Sequence, residues 1–289
     1  MNAEEESAAD GLQGVWIMIW VDVSLRLLLP NAKLAARLSA LTGLRLSPDI
    51  ARASHVDVAV DQGSSGRCLI TVGASRYEVT NEADLGLRLL SLIGSLLLER
   101  TGQLIVHAGA IRCEKGALLF CGPSYVGKST LGFRAWQAGL TLIGDDRLVF
   151  HAEEASVSAF PKPLKPRVSP IDTESEVPML ADQFMGRLEG EYHQVIARAL
   201  PGMTPLQVKV LVHRIFFLER SGEAASHLRR LTAKEALPRW LNQMMLSQSR
   251  AMLSTLAPLE RWTQTGDVYE LRVGDRDTDR ALHLMLSLE

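Results

Sequence analysis

Between His107 and Asp146 the chain gathers side chains that can move a phosphoryl group: a lysine, a serine, a histidine and two adjacent carboxylates. Gly122-Pro-Ser-Tyr-Val-Gly-Lys-Ser129 has the spacing G-x-x-x-x-G-K-[ST]. In such a turn backbone N–H groups curl around the phosphates of a nucleoside triphosphate, and glycine allows the tight positions. Gly122, Pro123, Ser124, Tyr125, Val126, Gly127, Lys128, Ser129 and Thr130 are therefore the expected ATP-binding residues. Lys128 offers a point charge to the β/γ oxygens, and Ser129 a hydroxyl for Mg²⁺. The helix expected to follow adds its positive N-terminus.

Asp145 and Asp146 follow seventeen and eighteen residues after Lys128. Carboxylates there can reach the phosphates, one to ligate or orient Mg²⁺ and the other to take a proton from an attacking hydroxyl. Adjacent acids also raise the pKa of one member, which suits acid/base work. Standing alone, an Asp-Asp pair is usually a solvated turn. His107 interrupts the apolar run LIVHAGA, where a histidine is ordinarily a hydrogen-bonded core residue. Its strand precedes the loop strand, however, so its end can lie beside the aspartates.

These residues need a frame. LIVHAGAI (104–111) and GALLFCG (116–122) read as adjacent strands turned by Cys113–Gly116. KSTLGFRAWQAG reads as a helix ending at Gly139, with Phe133 and Trp136 as core contacts, and LTLIGDD as a returning strand. The motif thus sits in strand, glycine turn, helix and strand, the context that nucleotide binding demands. Upstream, VWIMIWVDV, LRLLL, HVDVAVD, RCLITVG and RYEVT read as short strands, Asn31–Leu41 as a short helix, and ADLGLRLLSLIGSLLLER as a buried helix capped by Asn81. The expected division is a small β-rich unit over 1–82 and an α/β catalytic domain over 83–289.

Residues 151–210 are the least regular. FPKPLKPRVSPIDTESEVP carries five prolines and reads as an extended, exposed connection, in which Lys162, Lys165 and Arg167 either meet phosphates or an acidic peptide or are simply solvated. VLVHRIFFLER (210–220) is a buried strand, and Thr232-Ala-Lys-Glu235 a capping box opening a helical region to about Leu256. DVYELRV is a last strand and DTDRALHLMLSL a terminal helix. Arg214, Arg220, Arg229 and Arg230 read as surface charges, and Met244–Met245 as gap fillers.

Composition excludes other classes. With 47% hydrophobic and 22% charged residues the chain can build an ordinary core, and a net charge of -2 offers no basic field for nucleic acid. Cys68, Cys113 and Cys121 are too few and too scattered for a disulfide framework or zinc site. The acidic start MNAEEESAAD is unlike a signal peptide, and no apolar run approaches the roughly 18 residues that span a bilayer. The expectation is a cytoplasmic protein with no membrane partner.

His107, the glycine-lysine-serine loop and the Asp145–Asp146 pair together resemble the catalytic domain of HPr kinase/phosphorylase and, more broadly, HPr-kinase-like serine kinases found beside genes for modified peptides such as lasso peptides. The wording HAGAIRCEKGALLFCGPSYVGKSTLGFRAWQAGLTLIGDD carries nearly all of it. The resemblance implies a P-loop kinase core of the HPr kinase and phosphoenolpyruvate carboxykinase type, with ATP and Mg²⁺ as cofactors. It implies that Lys128 and Ser129 hold phosphate and metal, that Asp145 activates the acceptor serine with His107 in support, and that Asp146 assists the metal. The downstream Glu-Arg-Gly signature of the phosphorylases has no equivalent after Asp146, where Glu174, Glu176 and Glu219 are candidate substitutes, and the N-terminal unit does not match their regulatory domain. Reversal by phosphorolysis, and HPr itself as substrate, are therefore not expected. The HPr enzymes assemble as hexamers, which raises a homo-oligomer that no residue pattern here indicates.

The leading expectation is an ATP-dependent kinase acting on a hydroxyl, a serine of a protein or peptide. A switch-like ATPase or nucleotide-dependent binding protein is the alternative from another class, and a small-molecule kinase would use the same site. No separate water-positioning motif favours the switch.

Overall fold

The computed structural model describes residues 13–49, 55–63, 67–80, 82–165, 183–188, 191–245, 255–274 and 277–288. It is a mixed α/β protein with six α-helices among these residues. They fall into two compact units, one drawn from Met1–Gly102 and Arg167–Ala199, the other from Gln103–Pro166 and Leu200–Glu289.

The first unit opens with β1 (Gly14–Trp20), β2 (Val23–Leu29), α1 (Ala32–Thr42), β3 (Leu46–Pro48), β4 (Val58–Gln62), β5 (Cys68–Val72), β6 (Ser75–Val79) and α2 (Glu82–Arg100). The strands form one sheet in the order β3-β1-β2-β4-β5-β6. Alternation sets its buried face: Leu25, Leu27 and Leu29 of β2 are all fully buried. Asn31 caps α1 by accepting from Leu34 N–H at 2.9 Å, and Gly43 ends it at φ 72, a left-handed turn that glycine tolerates. Asn81, the expected cap of α2, lies outside the described residues.

The expected boundary after residue 82 differs from this division, because α2 is tied to the β-rich unit. Arg100 Nη1 donates to Asp57 Oδ1 at 2.6 Å, and Asp22 accepts from Thr101 Oγ1 at 3.0 Å and Gly102 N–H at 2.8 Å. Asp57 also accepts from Arg26 N–H at 2.7 Å. Burial alone would push up both carboxyls, but these donors hold them below the usual carboxylate range.

The second unit continues with β7 (Ile105–Val106), β8 (Ala108–Cys113), β9 (Gly116–Cys121), α3 (Lys128–Gln137), β10 (Thr141–Gly144), β11 (Leu148–His151) and β12 (Ser156–Ala159). An antiparallel pair, β13 (Gln183–Leu188) and β14 (Glu191–Ile196), returns to the first unit, where β13 lies against α2. The rest is β15 (Val210–Arg220), β16 (His227–Arg230), α4 (Ala233–Leu241), β17 (Met244–Met245), α5 (Leu256–Thr265), β18 (Val268–Val273) and α6 (Thr278–Leu286). Its sheet has ten strands among the described residues: β10-β8-β9-β15-β12-β11-β7-β17 in order, with β18 also paired to β15 and β16 to β18. The β15 pairings to β9 and β18 are parallel.

Three expectations are corrected here. The run 104–111 is not one strand: it divides at His107 into β7, paired with β11 and β17, and β8, paired with β9 and β10, while the His107 N–H donates to Gln243 O at 2.7 Å beside β17. The proline stretch is not exposed at its start, since Phe160, Pro161, Pro163 and Leu164 are buried. The helical region opened by the capping box, which is present at Thr232 and Glu235, gives way to β17 before α5. Strands β12, β13 and β14 had no sequence-level expectation. Phe150, Trp240 and Trp262 meet edge-to-face at centroid separations of 5.4–6.1 Å and anchor the core beneath the sheet.

Candidate active site

The loop joining β9 to α3 takes a backbone that only glycine fits at two points. Gly122 has φ 156 and Gly127 φ 110. A Cβ on Gly122 would stand 3.0 Å from both Leu218 O and Val126 Cγ1. Pro123, Ser124 and Tyr125 are exposed at the tip and Val126 is buried under it. Tyr125 holds φ 71, a strained conformation for a residue with a side chain.

Lys128 turns back into the loop, its Nζ donating to Gly122 O at 2.7 Å and Pro123 O at 2.8 Å. Burial lowers its pKa, against the raising pull of Asp146 and Asp145. Gly127 begins α3 without a side-chain cap, so first-turn N–H groups of that helix face outward with no internal acceptor. Thr130 is exposed in the same turn.

Asp145 and Asp146 follow β10, which lies beside β8 and so beside the end that carries His107. Arg147 N–H closes a three-residue turn onto Asp145 O at 2.9 Å, with Asp146 at φ 72 in the middle. That positive-φ γ-turn is rare and strained. It sends the two carboxylates to different partners. Asp145, 4% exposed, accepts from Ser129 Oγ at 3.1 Å. Asp146 takes His107 Nε2 at 3.0 Å on Oδ1 and Lys162 Nζ on Oδ2, with Arg147 Nε 3.8 Å away.

Their electrostatics diverge accordingly. Burial, reinforced by the neighbouring Asp146 charge, raises the Asp145 carboxyl above its ordinary value. Burial pushes Asp146 the same way, but the His107 hydrogen bond and the Lys162 ammonium outweigh it and hold this carboxyl below the usual range. Two adjacent acids driven apart by their surroundings are a recurring arrangement of acid/base sites.

All the expected residues from His107 to Asp146 therefore gather around one loop, with one exchange of partners. The resemblance implied His107 in support of Asp145 and Asp146 at the metal with Ser129, while spacing left the two aspartates undivided; the structure pairs His107 with Asp146 and Ser129 with Asp145. Among the described residues no three His, Cys, Asp or Glu side chains form a metal cage. The Ser129 hydroxyl and Asp145 carboxylate are nonetheless hard oxygen donors within 3.1 Å of each other, which fits Mg²⁺, a cation that keeps water and phosphate oxygens as its other ligands.

Two further residues join the site. Lys162, left open by sequence between solvent and ligand, is an ion-pair partner of Asp146. Lys165 is pushed down to about 8, first by burial and then by the Lys162 charge. Arg167, Glu174 and Glu176 lie outside the described residues, and Glu219 is committed to Arg239 at 2.7 Å. Sequence gave no signal for Gln243, whose Oε1 accepts from Gly122 N–H at 3.2 Å while its carbonyl accepts from His107 N–H. One residue thus anchors both the loop and the histidine. Arg214 and Arg229 are not free surface charges, since they pair with Asp267 at 3.4 Å and with buried Glu270 at 3.2 Å.

No family model matches this chain, and a search of curated proteins finds no match. Among solved structures it is similar to the HPr(Ser) kinase/phosphatase from Coxiella burnetii, at 14% identity over 56% of this chain and 99% of that one, with a TM-score of 0.25. Alignment that loose carries no argument about this chain. Among the described residues no helix is long and apolar enough to cross a membrane.

Proposed function

We propose that the second unit is an ATP-dependent kinase core of the HPr-kinase-like kind, which transfers the γ-phosphate to a hydroxyl, a serine of a protein or peptide substrate. The observation that carries this reading is the division of labour at Asp145 and Asp146: one acid faces the loop serine, the other a histidine and a lysine. A switch that only hydrolyses nucleotide has no need of the second arrangement.

In this reading the loop N–H groups and Lys128 hold the triphosphate, and Ser129 with Asp145 holds Mg²⁺. The bound metal would neutralise charge on the β- and γ-oxygens. Asp146, kept ionised by its partners, accepts a hydrogen bond from the acceptor hydroxyl and aims its oxygen at the γ-phosphorus. As the new O–P bond forms and the bond to the β-phosphate oxygen breaks, the hydroxyl proton passes to the Asp146 carboxylate, and ADP leaves. His107 and Lys162 fix that carboxylate's direction.

The test is incubation with Mg²⁺, ATP and serine-containing candidate peptides, read by mass spectrometry beside a phosphate-release assay without acceptor. A product heavier by one phosphoryl group on serine supports the kinase. Fast phosphate release with no modified acceptor overturns it in favour of the ATPase. Phosphorylation of small alcohols but no peptide would move the acceptor class to small molecules.

A further inference from the structure

β15 runs parallel to β9, with Phe217 level with Cys121, so β15 continues to Arg220 beyond the point where the loop leaves β9. A Cβ on Gly122 would stand 3.0 Å from Leu218 O, so the loop leaving β9 passes directly against the last residues of β15. Two residues further, at the last position of that strand, Arg220 brings Nη2 to 3.5 Å and Cζ to 4.0 Å from the place a Cβ would occupy on Gly127. Carboxyl ends of parallel strands are where ligands settle in open α/β sheets.

Arg220 is exposed and has no hydrogen-bond or ion-pair partner among the described residues. The nearby acids do not supply one. Glu219 pairs with Arg239 at 2.7 Å, and Glu270 with Arg229, Arg239 and Arg272 at 2.6–3.2 Å. Lys128 is meanwhile bound to loop carbonyls, whereas the Arg220 guanidinium keeps its full set of donors beside the same loop. A planar fork of N–H donors matches phosphate oxygens in pairs, which an ammonium cannot do.

We propose that Arg220 is the second cation of the phosphate site, donating to the triphosphate held by residues 122–129 from the β15 side. This rests on the nucleotide reading above. It assigns to the end of β15 a role that the sequence pattern alone gave to solvent.

Calorimetric titration of the full chain with Mg-ATP tests it, using the unaltered protein, Arg220→Ala and Arg220→Lys, with thermal melts of each. Arg220→Ala should weaken ATP binding by about 10- to 100-fold, the usual loss for a hydrogen bond to a charged group. Arg220→Lys should recover part of that, and the melting temperature should not move, because the side chain has no partner in the fold. ATP affinity within about two-fold of the unaltered protein in Arg220→Ala, or full recovery by any change that leaves no cation there (Arg220→Gln), overturns the inference while the nucleotide reading stands. Absence of ATP binding by the unaltered protein overturns both.

Discussion

Replacing Asp146 by asparagine removes a charge and almost no volume. The carboxylate it removes takes Lys162 and His107, and the side chains of Asp146 and Lys162 are only 30% and 19% exposed. At an effective dielectric of about 20, unit charges a few ångströms apart attract by about 4–5 kcal/mol before desolvation. Hydrogen bonds to charged groups retain roughly 1.5–3 kcal/mol net, so about 2 kcal/mol is the coupling expected between Asp146 and Lys162. Asp146→Asn should lower the free energy of unfolding at neutral pH by about that much, and the double variant with Lys162→Met should lose about 2 kcal/mol less than the two single losses added together.

The pH dependence has a definite sign. Because the folded Asp146 carboxyl is held below the ordinary aspartate value of 3.8, its contribution is fully present above that pH and is lost as pH falls through the lower folded value. The gap between the unaltered protein and Asp146→Asn in urea unfolding should therefore be constant from about pH 7 to pH 5 and close only in stronger acid. Additive single effects would refute the ion pair, and a gap already closing by about pH 5 would refute an ionised Asp146 held by its partners. Phosphoryl transfer by the same variant should fall by about 10²- to 10⁴-fold while ATP still binds.

Ser129→Ala takes from buried Asp145 its hydroxyl donor, and should raise the Mg²⁺ needed for half-maximal transfer about tenfold; an unchanged Mg²⁺ titration would remove Ser129 from the metal. Lys165, with its pKa near 8, should be about half neutral at that pH, against roughly 0.4% for an ordinary lysine. Pulse labelling with an amine-reactive ester at a series of pH values, read by peptide mass spectrometry, should then show the Lys165 rate levelling off above about pH 8, and a rate still rising about tenfold per pH unit beyond about pH 9 would contradict the shift. Gly109→Ala would set a Cβ 2.0 Å from Cε2 of fully buried Phe120, so a loss of about 2–3 kcal/mol is expected, partly restored by adding Phe120→Leu. An unchanged thermal midpoint would show that β8 and β9 can shift apart.

Much of the local structure is legible in the residue order. β9, the glycine loop, α3 and β10 follow from hydrophobic runs punctuated by Gly122, Gly127 and Gly139, and the capping box at Thr232 is a pattern four residues long. Some members of the candidate site are legible for the same reason, because the loop spacing and the Asp-Asp pair are local features, whereas Gln243 is not. The division at His107 is not: β7 and β8 pair with different strands, and one partner of β7 is β17, more than a hundred residues away. Nor is the membership of α2 and of β13–β14 in the first unit, which is decided by contacts across the chain.

What the sequence determined alone was therefore short-range shape around the glycine loop: the strand, turn, helix and strand from Gly116 to Gly144. Tertiary structure alone decided the partners. It set Ser129 on Asp145, His107 and Lys162 on Asp146, Gln243 on Gly122, and Arg220 beside Gly127. Periodicity constrains a residue's neighbours within a few positions, whereas these meetings depend on the order of strands in a sheet.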